Sequence, residues 1–421
     1  MKTLTAIVVG YGMRGRTYTN YAIDFPEKVK IVGVAEPVES KREEARQRFS
    51  ISDDMVFDNW EEVAKLPKSA DFIILATQDN MHYEPSLAFI EKGYDILLEK
   101  PMAPTAKECK EIALAAEKKG VKVLVCHVLR YTQFFCTLKD MLDNGDIGEI
   151  MSIVHMENVG NEHQSHSFVR GNWRNSKESA PMILAKSCHD TDLIQWLIGK
   201  ECKKVQSFGS LTHFTQENKP KGAPSYCMEG CPYGEECFYN AIKLYCESDS
   251  AWFRNIAANK RNPTDEEVNE AIRTGPYGRC VYECDNDVVD HQVVNMEFDG
   301  GCTVSFTMNA FNKGGRFIRI FGTKGEIYGD MRKGTLEVYS FKTQTINPID
   351  IHNLGDSITS GHGGGDTGIM GALVKYFTGK DTGNSVSGPY RSYMNHLISF
   401  AAEQSRVNGT IIDLEDFAQS L

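Results

Sequence analysis

An apolar run, Leu4 to Gly10, leads directly into Gly10-Tyr11-Gly12-Met13-Arg14-Gly15, and the residues beyond read as a helix. A strand, a G-x-G-x-x-G turn and a helix in immediate succession restrict the fold more than any other feature of this chain. In such a turn Gly10 makes the tight bend, Gly12 lets backbone amides approach a pyrophosphate, and Gly15 lets the helix sit close to the strand. The helix N-terminus adds partial positive charge at the same point. Met13 and Arg14, between the glycines, are counted with them as candidate dinucleotide contacts. About twenty residues on, Glu36 ends a second apolar run, where a carboxylate accepts hydrogen bonds from both ribose hydroxyls of an adenosine and repels a 2'-phosphate. Lys41 and Arg42 follow and soften that repulsion. The reading is NAD, with NADP as the alternative.

The first third of the chain alternates such runs with helical stretches. Leu4 to Gly10, Val29 to Ala35, Asp71 to Thr77, Tyr94 to Glu99 and Val121 to Cys126 read as strands of a parallel sheet buried on both faces. Right-handed crossovers then make an α/β, doubly wound domain over residues 1–128. From residue 129 the rhythm changes. A helix over Thr132 to Asp143 is followed by longer strand-like segments at Glu149 to Asn158, Lys204 to Gly209, Val288 to Phe298, Cys302 to Met308, Phe317 to Gly322 and Thr335 to Phe341. Turns such as Asp299-Gly300-Gly301 separate the later ones, as in an open, mostly antiparallel sheet. Residues 129–421 are therefore read as an α+β domain that binds substrate and forms oligomers. A polar, Cys-, Pro- and Gly-rich insertion at about 214–286 interrupts it, with a helical piece at Phe238 to Tyr245. Helices over Thr367 to Thr378 and Pro389 to Arg406 close the chain.

With 421 residues, two domains are expected. A net charge of −11 leaves no basic surplus for a nucleic-acid backbone or an anionic membrane, so neither is expected as a partner. Ala6 to Gly10 is too short for a signal or a membrane span. Twelve cysteines without a secretory signal point to reduced thiols and a cytoplasmic location. Six of them, Cys227, Cys231, Cys237, Cys246, Cys280 and Cys284, fall in the insertion. Their spacings depart from the C-x2-C and C-x4-C knuckles of structural zinc sites, so no metal is assigned; a zinc ion here would brace the insertion and stay away from any chemistry.

The fourth of these runs, Tyr94 to Glu99, ends in Glu99-Lys100-Pro101 at the carboxyl edge of the sheet, where ligands of doubly wound folds bind. Taken with the glycine turn, with Thr77 and His82 after Asp71 to Thr77, with Arg130 after Val121 to Cys126, and with His189-Asp190-Thr191-Asp192 opening a helix, it resembles the Gfo/Idh/MocA family of glucose-fructose oxidoreductase and inositol dehydrogenase. Gly322, Gly325 and Asp330 fit that family's second domain. The resemblance implies that Thr77, Gln78, His82, Glu99, Lys100 and Arg130 border the cofactor and that Lys100 and His189 flank the carbon from which hydride leaves. A histidine titrating near neutrality suits removal of the hydroxyl proton, and an ammonium beside the same oxygen stabilises developing negative charge.

The chain departs from the family in two places. Ala185 stands where an aspartate is usual four residues before the histidine, so Lys186, Asp190 or Asp192 is left to compensate; Gln78 stands where proline commonly follows the threonine. In Asn161 to Arg174, Trp173 and Arg174, with His163 and His166, suit a polyol or sugar ring, so Lys100, Trp173, Arg174, Lys186 and His189 form the candidate substrate site. The implied activity is transfer of hydride between nicotinamide and a secondary alcohol of a sugar, sugar derivative or cyclitol. An NAD-dependent, redox-assisted glycoside hydrolase and a non-catalytic dinucleotide sensor are the alternatives. The family further implies a homodimer or homotetramer joined through the second domain's sheet.

Overall fold

The computed structural model describes residues 2–354, 361–380 and 385–421. The first sheet has six parallel strands, β1 (Leu4–Val9), β2 (Val29–Ala35), β3 (Val56–Phe57), β4 (Phe72–Leu75), β5 (Asp95–Leu98) and β6 (Val123–Val125), in the order β3-β2-β1-β4-β5-β6. Every residue of β4 and β6 is buried, as a sheet covered on both faces requires. Strand order reverses at β1, which pairs with β2 on one side and β4 on the other. That reversal opens a crevice at the carboxyl ends of the strands. β3 was not foreseen: its two residues are half-buried and too few to set up a period.

The second sheet has nine strands: β7 (Ile150–Asn158), β8 (Cys202–Ser210), β9 (His291–Phe298), β10 (Thr303–Asn309), β11 (Gly315–Gly322), β12 (Gly325–Asp330), β13 (Thr335–Ser340), β14 (Thr345–Asp350) and β15 (Ile412–Asp413). Their order is β14-β13-β12-β11-β7-β10-β9-β8-β15. All neighbours run antiparallel except β7 and β10, so the sheet is mixed but mostly antiparallel. Ile153, His155 and Glu157 of β7 turn inward in alternation. That inner face carries the Cys188–Ile198 and Pro389–Asn408 helices. The outer face is half-open, and Val154 and Phe208 on it are exposed.

Three expectations change. Phe238 to Tyr245 is not a helix of that length; only Ile242–Cys246 forms a single wide π-type turn. The strand expected from Val288 begins at His291, because Val288 and Val289 are buried in the approach to it. The Gly365–Phe377 helix, expected with the second domain, lies on the first: Ile369, Met370, Leu373 and Val374 share a core with Ala6, Tyr18 and Phe72. The insertion has a small core of its own around Leu244, Tyr245, Phe253, Val268 and Ile272. No helix among the described residues is long and apolar enough to cross a membrane.

Candidate active site

The glycine turn is built for an anion. Gly10 has φ +87° and packs so tightly that a Cβ would stand 2.6 Å from the Ala76 carbonyl oxygen; at Gly15 a Cβ would stand 2.1 Å from the Gly10 oxygen. A Cβ on Gly12 would meet nothing within 4 Å, so open space faces the one glycine where a ligand has to come close. The following helix, Met13–Asp24, has no side-chain cap and no acidic residue in its first turn, which leaves its N-terminal amides to an outside acceptor. Glu36 is pinned at the end of β2, its carboxylate accepting from the Tyr11 amide at 2.7 Å and the Val38 amide at 3.0 Å.

Beside this turn a cavity of about 330 Å³ is walled by Met13, Arg16, Lys41 and Arg48 of the first domain and by Trp252 and Asn259 of the insertion. Lys41 donates to the Asn259 side-chain oxygen at 3.0 Å. The insertion therefore overhangs the mouth of the glycine turn, which its composition gave no reason to expect.

Glu99, just past β5, is buried and accepts from Arg14 Nε and the Tyr18 hydroxyl at 2.6 Å each and from the Lys100 amide at 2.7 Å. Burial works against its charge, but Arg14 and Lys100 outweigh it and hold the carboxyl below its ordinary value. Arg14 also pairs with Asp366 at 2.7 Å. Its guanidinium is thus held by Glu99 and Asp366.

The Lys100-Pro101 peptide is cis. The buried ring of His82 faces the Pro101 carbonyl at 2.7 Å and the Thr77 carbonyl at 3.3 Å, tying the loop after β4 to the one after β5. Lys100 Nζ crosses the cleft and donates to the Ala185 carbonyl at 2.8 Å, with the Trp173 ring centroid 5.7 Å away. The usual aspartate is absent at Ala185, and the backbone oxygen there takes the ammonium. Trp173 is fixed by its donation to Asp79 at 3.0 Å.

After the short turn Met182–Ala185, the Cys188–Ile198 helix brings His189 into the cleft, 7 % exposed. Ion pairs on either side of His189 lock this helix. Asp190 accepts from Arg316 Nε at 2.8 Å and meets His155 Nε2 at 2.8 Å. Burial opposes the Asp190 charge, yet Arg316 and His155 keep its carboxyl well below the usual carboxylate range. Asp192 accepts two bonds from Arg130, each 2.6 Å, and a third from Asn395. Lys186 stands 3.3 Å from Glu157, which also pairs with Arg316 at 2.8 Å. Burial lowers the Lys186 pKa, with Glu157 acting against it.

The structure thus brings Lys100, Trp173, Lys186 and His189 to one cleft. It turns two predicted residues elsewhere. Arg130 is buried and holds Asp192, so it acts on the helix that carries His189. Arg174 forms a fork with Asp285 at 2.9 Å and faces the insertion. Gln78 is exposed.

Two residues of the site escaped the sequence. His127, fully buried, lies 6.2 Å ring to ring from His189 and 3.7 Å from Asp192, and burial, helped by Arg130 and Lys100, lowers its pKa well below the ordinary value. Its place just past β6 was the available signal. Trp252, at the cavity beside the glycine turn, packs on His163 at 5.0 Å, a contact no local pattern encodes. A buried imidazole on the helix that follows the Lys100–Ala185 contact can take a proton from an alcohol, and an ammonium at that contact can stabilise the oxygen.

A family model described as an oxidoreductase family with an NAD-binding Rossmann fold matches residues 4–127, and its companion, the C-terminal alpha/beta domain of that oxidoreductase family, matches 139–420. The putative oxidoreductase YteT of Bacillus subtilis is 26% identical over 338 residues, 77% of this chain and 76% of that protein. The scyllo-inositol 2-dehydrogenase (NADP+) IolW of the same organism is 30% identical over 148 residues, 35% of this chain and 40% of that one. Among solved structures, an oxidoreductase from Agrobacterium radiobacter in complex with NAD+, L-tartaric acid and magnesium superposes with a TM-score of 0.70 at 14% identity, covering 98% of this chain and 99% of that one.

Proposed function

We propose, from the premise that this chain belongs to the Gfo/Idh/MocA oxidoreductase family, that it oxidises a secondary alcohol of a sugar, sugar derivative or cyclitol. A nicotinamide dinucleotide is the cofactor of its Rossmann domain. The residues here fit one: the uncapped amides of Met13, Arg14 and Gly15 and the space over Gly12 would hold the pyrophosphate, Glu36 the adenosine ribose, and Thr77, Gln78, His82 and Glu99 the nicotinamide half. When bound, the nicotinamide accepts the hydride.

In this reading His189 takes the hydroxyl proton, and Lys100 donates a hydrogen bond to the same oxygen, exchanging the Ala185 carbonyl for the substrate. Lys186, held by Glu157, offers a second ammonium to a neighbouring hydroxyl. Trp173 presents a plane against which a polyol ring packs, and His163 with Trp252 excludes water from one side. An inositol dehydrogenase among the relatives supports a ring polyol. The observation that carries the proposal is the 2.8 Å bond from Lys100 to Ala185, which joins the carboxyl edge of the first sheet to the turn that delivers His189.

The test is formation of reduced nicotinamide on a panel of cyclitols, aldoses and uronic acids by wild type, Lys100→Met and His189→Asn. Wild type should reduce cofactor with at least one panel member. Both variants should still bind cofactor while losing about 10²–10⁴-fold in turnover. Variants as active as wild type would overturn the assignment, and release of a glycosidic leaving group without net reduction would select the redox-assisted hydrolase instead. The outer face of the second sheet, where Phe208, Val293, Thr307, Met156 and Phe317 form one row across five strands, is proposed as the contact between copies of the chain.

A further inference from the structure

The cavity of about 330 Å³ at the seam between the first domain and the insertion has a chemically one-sided wall. Arg16, Lys41, Arg48, Lys260 and Arg261 line it, and among the described residues no aspartate or glutamate does. In a chain of net charge −11 that is a local exception. Two of these cations are answered from outside the wall: Arg16 pairs with Glu44 at 2.6 Å, and Lys260 pairs with Glu267. The other three have no carboxylate partner among the described residues. Lys41 donates to the Asn259 side-chain oxygen at 3.0 Å, and Arg48 to the Asn20 side-chain oxygen at 2.8 Å. Arg261 is exposed at the insertion's edge of the cavity.

The neutral polar groups of the wall point to the same kind of ligand. Asn20 and Asn259 spend their carbonyl oxygens on those two cations, and Asn255 accepts from the Asn262 amide at 2.9 Å. What each amide keeps for a ligand is its pair of N–H donors. Like charges around a partly enclosed space repel more strongly than in bulk water, and a ligand that is both anionic and rich in acceptor oxygens removes that cost. A carboxylate brings one charge and two oxygens, too few for three cations. A phosphate group brings about −1.5 to −2 charges at neutral pH and three acceptor oxygens, and guanidinium groups bind it through paired donors. Met13, Trp252 and Ile256 give the same cavity an apolar side, against which the rest of an organic molecule packs.

We propose that this seam binds an organic phosphate, its phosphate group on Lys41, Arg48 and Arg261 and its organic part against Trp252 and Ile256. Two sources share that chemistry. One is the ribose phosphate of an NADP(H) molecule seated in the glycine turn, which rests on the cofactor reading above; the other is a separate phosphorylated molecule, which does not. Lys41 and Arg48 belong to the first domain and Arg261 to the insertion, so either ligand ties the two together.

Calorimetric titration of the full chain tests this, with pyrophosphate as the probe and NADH saturating the glycine turn. Pyrophosphate should bind saturably at one site per chain and more weakly as NaCl is added. Lys41→Gln and Arg48→Gln should each weaken it about tenfold, whereas Lys118→Gln, an exposed lysine on the Ala106–Lys119 helix, should leave it unchanged. If saturating NADPH excludes pyrophosphate and binds more tightly than NADH, with that preference lost in both glutamine variants, the ribose phosphate is the ligand; pyrophosphate bound beside NADPH identifies a separate one. Gly12→Val, which fills the space over the glycine turn, should keep pyrophosphate binding, so the seam is read even where no dinucleotide binds. Absence of pyrophosphate binding in both the NADH-loaded and the Gly12→Val protein together with equal affinity for NADH and NADPH, or binding undiminished in both glutamine variants, overturns the proposal.

Discussion

Replacing Arg130 by Met tests how the His189 helix is held. The Arg130 and Asp192 side chains are 2 % and 1 % exposed and share two bonds of 2.6 Å. Burial still pushes the Asp192 carboxyl above its ordinary range despite the guanidinium, so the charge is tolerated rather than favoured. Removing one member of such a pair costs about 3–5 kcal/mol, because the other is left charged and buried. Arg130→Met should therefore lose about that much in urea unfolding at neutral pH, and Arg130→Met/Asp192→Leu should recover most of it. The pH dependence has a definite sign. A carboxyl with a raised folded pKa gains stability relative to the unfolded chain as pH falls and it takes up a proton, so the deficit of the single variant should shrink on going from neutral pH toward 5. Turnover should fall with stability, since Asp192 sits on the helix that presents His189. A deficit below about 1 kcal/mol, or one that grows on acidification, would refute the reasoning.

The glycine turn separates folding from binding: Gly15→Ala drives a methyl into the Gly10 oxygen and should cost about 1–3 kcal/mol in thermal melts, whereas Gly12→Ala should melt like wild type and bind NADH far more weakly. Asp190 has a depressed folded pKa, so the stability it contributes is present above the unfolded value of about 4 and is lost as pH falls through the folded one. The stability gap between wild type and Asp190→Asn should hold from neutrality down to about 4 and close below it, as melts across that range would show. Trp252→Ala removes the ring packed on His163 and should weaken cofactor binding by about 0.5–1.5 kcal/mol, read by fluorescence titration, without abolishing turnover. Phe208→Lys on the outer face of β8, 56 % exposed in the isolated chain, should shift sedimentation toward a smaller species if copies of the chain pair there.

Where burial imposed a period on the residues, the sequence was readable. β1, β2, β4, β5 and β6 are short apolar runs between helices because both faces of their sheet are covered, and the turn at Gly10 is local chemistry. β14 was missed because it is an edge strand whose residues are mostly exposed, with Pro348 among them; β15 has only two residues. Lys100 and His189 stand out only because the motifs taken together resemble the Gfo/Idh/MocA family; neither position says as much alone. Their supporting contacts do not stand out at all: Arg14 to Glu99 spans 85 residues and Arg130 to Asp192 spans 62, and nothing in either segment names its partner. The reach of the insertion over the cavity beside the glycine turn through Lys41 and Asn259, 218 residues apart, is likewise a tertiary outcome.

The account rests on the open glycine turn as a pyridine-nucleotide site, and equilibrium titration of the chain with NADH, followed by nicotinamide fluorescence, tests it most directly. It predicts saturable binding of one NADH per chain that is competed by NAD+ and lost in Gly12→Val. Absence of measurable affinity for NADH and NADPH in the folded protein, or undiminished binding by Gly12→Val, would contradict it.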